Sequence, residues 1–550
     1  MRFLGFVILL HVSSGLAKTC PFLGPVFPAP KSLSTSQSFQ STLSSIRTNI
    51  ESAITAGNSS HGPLDPASSY SIQIFSSRDE KPLFDYHRRG SDVVGNRPID
   101  GDSIYRIAST TKLITVYLLL LQSGDGIFND KVAKYLPELA GKQNWDEITV
   151  GALAGYIGGI VSELYGTDTL AQGSIGDFLP DAFPPLPPKD VSPCMYNQTG
   201  CTREVFLEAL AGRRQAYLPN TTPGYSNAAF ATLGLVLESV TGLSYGEVLR
   251  NSLSVPLHLT GTTDSTPSNS SRGVIVGSES ASQWNMVLDG AGIGMGALFS
   301  TPNDLSAIGR AMLSSSLLPS NTTRAWLQPT AFTSSLIGAV GRPWEIFRAV
   351  IGPAENNRVV DLYTKAGNFG GFGSIFVLVP DYDIGFVVLH AGRRGRVPFE
   401  VSGLIVDELL PALEETARVE ADAAFAGTYT APNGLNSTFV LSSTAGIPGL
   451  TVDQWISNGT DIVAQIFGSP ERIQLYPTNI KSADGRQYSW RASSISLEDT
   501  GPFSACPSWV ALDRPTYGVY GLDEVVFHLN EDGKAIRVEL KAQSIVLDKA

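Results

Sequence analysis

The stretch Tyr105-Arg-Ile-Ala-Ser-Thr-Thr-Lys112 leads into the most apolar long segment of the chain, Leu113-Ile-Thr-Val-Tyr-Leu-Leu-Leu-Leu121. Apolar residues surround this segment on every side, which predicts a central, buried helix over residues 103–122. Ser109 stands where an irregular stretch meets the helix, and Lys112 follows one turn later on the same face. A buried lysine is costly unless it has a partner or a task. Because desolvation lowers its pKa, a neutral amine here can take the proton of Ser109, which predicts a nucleophile and its base.

Since Ser-x-x-Lys arises by chance in many chains, this pair needs support from other motifs. Tyr225-Ser-Asn227 follows a Pro-Gly turn and precedes a helix predicted over 228–240. A Tyr and an Asn at this spacing can face one cleft, and a phenol near an ammonium group ionises more easily and can move a proton. Taken alone, the tripeptide also fits an ordinary Asn helix cap after a turn.

A third motif, Lys365-Ala-Gly367, ends a strand predicted over 361–365 and is followed by Asn368 and further glycines. Glycines on a strand edge let a ligand approach the backbone closely. A backbone N–H at this edge could complete an oxyanion hole with the N–H of Ser109. Taken alone, the segment also fits a glycine-rich bulge.

In the order Ser-x-x-Lys, Tyr-x-Asn and Lys-x-Gly, the three motifs resemble those of the class C β-lactamases and the related penicillin-binding-protein and esterase family. Gly296-Ala-Leu-Phe-Ser-Thr-Pro-Asn-Asp304 also resembles a segment of that family, and the likeness extends over roughly residues 35–410. The resemblance implies an α/β (α+β) fold, in which a mainly antiparallel sheet is flanked by helices and joined by a helical subdomain.

The resemblance also implies a reaction. Ser109 is expected to attack a carbonyl group and to carry the acyl group, while Lys112 and Tyr225 share general-base and general-acid duty. The family's third motif usually carries Thr or Ser where this chain has Ala366. That hydroxyl usually helps to hold a substrate carboxylate, so its absence favours a neutral ester, lactone or amide over a β-lactam or a D-Ala-D-Ala peptide.

Four residues are expected, by the same resemblance, to bind the substrate. Asn227 orients the substrate amide or the Lys112 network, and Lys365 places positive charge beside the substrate. Gly367 lets the substrate approach the strand, and Asn368 donates its N–H to the oxyanion together with Ser109. No metal or organic cofactor is needed, and the expected partner is a small-molecule or peptide-like acyl substrate.

Two rival functions stay open at this point. The first is an acyltransferase or transesterase of small-molecule metabolites, in which another molecule replaces water as the acyl acceptor. The second is a non-catalytic secreted binding protein on the same fold. The presence of Ser109, Lys112 and Tyr225 argues against the second.

The order of strand and helix patterns suggests two domains. A β-lactamase-like catalytic domain is predicted over 18–418, with a long Gly- and Pro-rich insertion over 166–222 that could cover the cleft. Strand patterns are found at 70–75, 82–86, 374–379 and 384–389, and a helix pattern at 401–417. After about residue 420 only short strand patterns appear, which predicts a C-terminal all-β domain over 419–550.

The N-terminus predicts export. Arg2 supplies a positive charge, Phe3 to Val12 form a short apolar run, and Gly15 and Ala17 place small residues before a cleavage site. This pattern predicts a signal peptide over 1–17 and a secreted, extracellular protein. The apolar run is too short to span a bilayer, so no membrane span is expected.

Four cysteines remain after this cleavage, which in an oxidising compartment predicts two disulfide bonds. Cys194 and Cys201 are close enough in sequence to close a small loop, and Cys20 with Cys506 would then join the N-terminal and C-terminal regions. Free buried thiols are the alternative. Sequons of the form Asn-x-Ser/Thr predict N-glycosylation on surface loops. They occur at Asn58, Asn197, Asn220, Asn269, Asn321, Asn436 and Asn458.

The composition and the absence of other motifs exclude several function classes. The formal net charge of −12 and the absence of a basic run argue against nucleic acid or an anionic membrane as partner. The chain has no Gly-x-Ser-x-Gly elbow, no zinc-type spacing among its six histidines and no Gly-x-Gly-x-x-Gly after a strand. We expect a monomer.

Overall fold

The computed structural model describes residues 18–164, 194, 201–288, 290–393, 395–432, 434–468, 470, 472–497 and 505–550. The chain divides into two compact units. The large unit comprises Lys31–Ala349 and Asp361–Ala412, and the β unit comprises the chain up to Pro30, Val350–Val360 and Leu413–Ala550. The predicted domains met between residues 418 and 419, whereas the two units divide between residues 412 and 413 and the β unit also includes two earlier segments.

The helices follow the apolar patterns and the capping residues of the sequence. Ser36 and Ser226 accept backbone N–H bonds at two helix starts, and Gly57 and Gly242 end the same helices in the left-handed region. The described helices are α1 Gln37–Ala56, α2 Thr111–Ser123, α3 Val150–Ala154, α4 Arg203–Gly212, α5 Asn227–Thr241, α6 Tyr245–Leu249, α7 Ile293–Gly296, α8 Pro302–Ser314, α9 Ser320–Trp326, α10 Phe399–Phe425, α11 Ile462–Ile466 and α12 Ser508–Ala511.

The large unit is built on an eight-stranded sheet with strand order β2-β1-β8-β7-β6-β5-β4-β3. The pairs β1–β2, β1–β8, β7–β8, β6–β7, β4–β5 and β3–β4 are antiparallel. Every residue of β1, β7 and β8 is buried, because other elements cover both faces of the sheet centre. The strands are β1 Ser69–Ser76, β2 Phe84–Arg88, β3 Ala331–Phe332, β4 Gly338–Val340, β5 Glu345–Ile351, β6 Arg358–Phe369, β7 Phe372–Val379 and β8 Ile384–Ala391.

The helix α2 lies in the core of the large unit, as its all-round apolar pattern predicts. Its residues from Thr111 to Leu120 are all buried, and α5 and α7 pack against it. Two glycines let α5 and α7 approach closely, since a Cβ added at Gly294 would lie 2.6 Å from the carbonyl oxygen of Phe230 and 3.0 Å from the Cα of Gly234. The core therefore holds the segment after Ser109 in one position.

The β unit contains a nine-stranded antiparallel sheet in the order β10-β9-β17-β16-β15-β14-β13-β11-β12, closed into a barrel by a further pairing of β10 with β11. Its core is rich in aromatic residues, including Trp455, Trp490 and Phe527. The strands are β9 Gly427–Thr430, β10 Thr438–Ser442, β11 Leu450–Ser457, β12 Thr460–Asp461, β13 Gln474–Lys481, β14 Gln487–Ser493, β15 Glu524–Leu529, β16 Ala535–Leu540 and β17 Ile545–Lys549.

The predicted fold class is therefore confirmed, while two details of the sequence interpretation are wrong. The helix expected over 103–122 begins only at Thr111, because 105–106 pair as a short strand with 299–300 and Ala108 adopts a left-handed φ of 46°. The C-terminal region is not free of helix, since α10 extends to Phe425 and α11 and α12 follow.

Both predicted disulfide bonds are present, Cys20–Cys506 within the β unit and Cys194–Cys201. They are consistent with a secreted protein. Six of the seven sequon asparagines lie in the described residues and all six are exposed, while Asn197 and most of the predicted 166–222 insertion lie outside them. No single helix of the described residues is long and apolar enough to cross a membrane, although the bent pair formed by α5 and 245–254 meets the length and composition limits.

The close approach of α5 and α7 predicts the effect of a single methyl group. Gly294→Ala should lower the free energy of unfolding by about 1–3 kcal/mol, because the new Cβ meets backbone atoms that cannot move aside. Gly212→Ala is the matched control, since a Cβ added at the end of α4 meets nothing within 4 Å. Thermal unfolding of both variants checks this, and equal melting temperatures would show that the helix contact is looser than described.

Candidate active site

Ser109 lies in a tight turn that the surrounding strands hold in place. The turn, Ala108–Thr110, is a single 3-10 turn that runs directly into α2. The left-handed backbone of Ala108 costs roughly 1–3 kcal/mol and persists only where the surroundings enforce it. Ser374 of β7 supplies part of this enforcement, because its hydroxyl donates to the carbonyl oxygen of Ile107 at 2.7 Å and lies 2.8 Å from the hydroxyl of Thr110.

Lys112 lies one turn after Ser109, and its buried amine points toward the hydroxyl of Ser109. Its Nζ lies 3.0 Å from Ser109 Oγ, 2.7 Å from Asn227 Oδ1 and 2.6 Å from the carbonyl oxygen of Met295. These three acceptors come from the turn Ala108–Thr110, which carries the proposed nucleophile and is called the nucleophile turn below, from the start of α5 and from α7. The lysine is fully buried, so the three contacts compensate the loss of water around its amine.

Tyr225 closes the arrangement on the side that faces solvent. Its hydroxyl donates to Ser109 Oγ at 2.7 Å, and its ring stacks on Tyr156 with 5.7 Å between ring centroids. The Nζ atoms of Lys112 and Lys365 lie 4.9 Å and 5.3 Å from the centre of the Tyr225 ring. Tyr225 is 42 % exposed and Ser109 is partly exposed, so both remain within reach of a substrate.

The pKa values of these groups shift in the directions that proton transfer requires. Burial lowers the pKa of Lys112 below 10.5, and the charge of Lys365 lowers it further, against the opposing effect of Tyr225. Desolvation raises the pKa of Tyr225, but the nearby Lys112 and Lys365 lower it more, so that its pKa falls below 10. The amine and the phenol therefore compete for one proton near Ser109 Oγ.

The third motif contacts the nucleophile turn through its backbone. A Cβ added at Gly367 would lie 2.3 Å from the carbonyl oxygen of Ile107 and 2.8 Å from the backbone nitrogen of Ser109. Only glycine fits this close approach, and the group that approaches Gly367 is the turn at Ser109, whereas the sequence predicted a ligand. The N–H of Ala366 points away from β7, because it donates to Glu345 Oε2 at 3.0 Å. Asn368, two residues further along β6, presents its N–H on the same side.

Lys365 is paired with a carboxylate that the sequence interpretation did not identify. Its Nζ lies 2.5 Å from Oε1 of Glu345, the first residue of β5, and also donates to the carbonyl oxygen of Ala366. A second carboxylate, Glu163 Oε2, accepts from Nδ2 of Asn227 at 2.7 Å. No motif marks either glutamate, since both reach the site only through the tertiary fold.

Of the residues predicted for the site, the structure brings Ser109, Lys112, Tyr225 and Asn227 into one hydrogen-bonded network, and it places Lys365 beside the ring of Tyr225. Gly367 abuts the same turn, and Asn368 follows it on the strand. No cluster of three or more potential metal-ligating side chains occurs among the described residues. The geometry is that of a serine hydroxyl between an amine and a phenol, on a sheet-and-helix fold.

Comparisons with known proteins give the same class. The chain belongs to the beta-lactamase family, because the model of that family, described as "Beta-lactamase", matches residues 70–406, more than half of its 550 residues. A model described as "Beta-lactamase-like-like, C-terminal domain" matches residues 417–550. The resemblance inferred from the three motifs is thus confirmed, and the chain is a member of a serine hydrolase family.

Individual relatives are similar over nearly their whole length. A "Beta-lactamase-like protein" of Arthroderma benhamiae is 28% identical, with 97% of each chain covered. A "Probable hydrolase M10" of Phoma sp. is 26% identical, with 98% of this chain and 93% of the relative covered. Among solved structures, a beta-lactamase/D-alanine carboxypeptidase from Pseudomonas syringae is 15% identical with a TM-score of 0.49, over 68% of this chain and 98% of that one.

The lowered pKa values predict how stability depends on pH. The unfolded chain binds more protons than the folded chain between the folded pKa of Lys112 and its ordinary value of 10.5. The free energy of unfolding therefore rises with pH in this window, and the lowered pKa of Tyr225 acts in the same direction up to 10. Lys112→Met removes the first effect and weakens the second, which Lys365 also causes, so the melting temperature of the wild type minus that of the variant should grow as the pH rises toward 10.

The control for this measurement is Lys142→Met, which replaces an exposed lysine of the large unit. Its melting temperature should differ from the wild type by an amount that does not change with pH. A pH-independent difference for Lys112→Met as well would contradict the lowered pKa of the buried amine.

Proposed function

We propose that the chain hydrolyses an ester, lactone or amide through a covalent acyl intermediate on Ser109. The observation that carries the proposal is the position of Ser109 Oγ between Lys112 Nζ at 3.0 Å and the hydroxyl of Tyr225 at 2.7 Å. A serine hydroxyl is a weak nucleophile until a neighbouring base removes its proton. Two groups of lowered pKa, both within hydrogen-bond distance, meet that requirement.

The reaction divides into acylation and deacylation. In acylation, Ser109 Oγ forms a bond to the carbonyl carbon while its proton passes to the Lys112–Tyr225 pair. The same pair returns a proton to the leaving alcohol or amine as its bond to the carbonyl carbon breaks. In deacylation, a water molecule gives a proton to the pair, attacks the acyl carbon and releases the acid, and Ser109 regains its proton.

Two backbone donors are proposed for the oxyanion that forms in each step. The N–H of Ser109 belongs to the turn Ala108–Thr110, and the N–H of Asn368 belongs to the strand β6 that abuts this turn. The close approach of Gly367 to Ser109 supports this assignment, because it brings the strand edge to the nucleophile. Loss of one such donor typically raises the barrier by about 3 kcal/mol.

Asn227 and Lys365 are proposed to position the reacting groups. Asn227 accepts from Lys112 at 2.7 Å and donates to Glu163 at 2.7 Å, which fixes the amine toward Ser109. Lys365 lies 5.3 Å from the Tyr225 ring and lowers the pKa of the phenol. The substrate is a small-molecule or peptide-like acyl compound, and the absence of a hydroxyl at Ala366 supports an ester, lactone or amide.

The proposal predicts the effects of three substitutions. Ser109→Ala should abolish both hydrolysis of a nitrophenyl ester and the mass adduct that a fluorophosphonate or penicillin probe leaves on the peptide containing residue 109. Lys112→Arg and Tyr225→Phe should each lower the acylation rate by about 10²- to 10⁴-fold, because arginine cannot lose its proton at neutral pH and phenylalanine has none to transfer.

Lys142→Arg serves as the control and should acylate like the wild type. A label that persists in Ser109→Ala would contradict the nucleophile assignment, and a folded wild type without any label would favour the non-catalytic binding protein. Product analysis in the presence of an added alcohol separates hydrolysis from acyl transfer, since a transferase yields mainly the new ester.

We further propose that the protein is secreted and glycosylated. The short N-terminal apolar run, the two disulfide bonds and the six exposed sequon asparagines support this. The protein recovered from the medium of an expressing eukaryotic cell should begin at Lys18, and its mass should fall after treatment with an N-glycosidase. An intact N-terminus starting at Met1 on cell-retained protein would contradict the proposal.

A further inference from the structure

The carboxylate of Glu345 accepts hydrogen bonds from two donors of the third motif, the amine of Lys365 and the N–H of Ala366. Its Oε1 lies 2.5 Å from Lys365 Nζ, and its Oε2 accepts the N–H of Ala366 at 3.0 Å. The backbone of Glu345 is held as well, because its carbonyl oxygen accepts the hydroxyl of Thr364 at 2.6 Å. An ammonium group and an adjacent N–H can bind one carboxylate through two hydrogen bonds. In this chain the carboxylate comes from the protein itself.

The pairing leaves little of the lysine charge for a substrate. The side chain of Lys365 is 1% exposed, whereas that of Glu345 is 26% exposed. A substrate group that approaches this corner therefore meets the carboxylate before it meets the ammonium. Displacement of Glu345 would leave the buried ammonium group of Lys365 without its partner, which is costly.

The charges around the nucleophile give no net attraction for an anion. Two lysines, Lys112 and Lys365, face two glutamates, Glu163 and Glu345, and the phenol of Tyr225 adds a further negative charge whenever it ionises. If Lys112 loses its proton and becomes neutral, the net charge of these groups is negative in that case too. The site thus favours substrates that are uncharged or positively charged.

Two side chains connect the carboxylate to Ser109. Glu345 touches Lys365, the Nζ of Lys365 lies 5.3 Å from the centre of the Tyr225 ring, and the hydroxyl of Tyr225 lies 2.7 Å from Ser109 Oγ. Glu345 therefore belongs to the charge cluster that contacts Ser109, and partly buried charges of this kind are screened less by salt than exposed ones.

We infer that Glu345 is a specificity-determining residue that excludes substrates with a carboxylate beside the scissile bond, so that the enzyme selects uncharged or cationic esters and amides. The inference rests on the proposed acyl-Ser109 reaction and adds to it the charge of the substrate. The inference specifies the charge of the substrate group that lies near the third motif, and it does not specify the acyl group.

A matched pair of esters tests the inference. The substrates 3-acetoxybenzamide and 3-acetoxybenzoate transfer the same acetyl group and have leaving groups of similar size, but only the second carries a carboxylate. The wild type should favour the amide-bearing ester by at least about tenfold in kcat/KM. Glu345→Gln keeps the shape and an oxygen acceptor but removes the charge, so it should bring this ratio close to one or reverse it.

Two further variants control for charge and shape. Glu147→Gln removes an exposed carboxylate of the same unit and should leave the wild-type ratio unchanged. Glu345→Asp keeps the negative charge and should retain the preference for the uncharged ester even if both rates fall. An unchanged ratio in Glu345→Gln, or a wild type that hydrolyses both esters equally, would overturn the inference. The wild-type ratio decides the matter where Glu345→Gln does not fold.

Failure of the proposed function gives a different result. If Ser109→Ala hydrolyses either ester as fast as the wild type, the acyl-Ser109 reaction itself is wrong. If hydrolysis depends on Ser109 but the ratio does not depend on Glu345, only the assigned substrate charge is wrong.

Discussion

The site depends on one buried amine. Lys112 is inaccessible to solvent, yet its Nζ meets oxygen atoms of Ser109, Asn227 and Met295, which belong to three separate segments of the chain. A buried amine without such partners is strongly destabilising. Its need for three acceptors therefore fixes the nucleophile turn, the start of α5 and the helix α7 relative to one another. The same burial lowers the pKa of the amine, so one constraint both fixes the architecture and gives Lys112 the property that the proposed base needs.

A second constraint is the balance of charge around this amine. Lys365 and Lys112 both lower the pKa of Tyr225, while Glu345 and Glu163 neutralise much of the positive charge that they bring. The phenol can thus share a proton with the amine although the site carries no net positive charge that would bind an anion strongly. In the proposed reaction, chemistry and substrate choice would thus be set by different members of one charge network: the amine and phenol next to Ser109, and the carboxylates one contact further away.

Much of the site could be predicted from the sequence because its motifs are local. Ser109 and Lys112 lie one turn apart, and helical periodicity alone places them on one face. Gly367 next to Lys365 indicates that some group approaches the strand closely; the sequence predicted a ligand, and the structure shows the backbone of Ile107 and Ser109. The residue at which the helix begins could not be predicted from the sequence. The sequence pattern extended the helix back to residue 103, since nothing in it reveals that Ala108 adopts a left-handed backbone.

The sequence by itself determined the class of fold, the family and the motifs that meet around Ser109, because apolar periodicity, glycine positions and short spacings act over a few residues. Only the tertiary structure decided which carboxylates face those groups. Glu345 reaches Lys365 across neighbouring strands, and Glu163 reaches Asn227 from a segment 64 residues earlier. Such pairings follow from strand register and helix packing, which arise from contacts throughout the core and leave no local pattern in the chain.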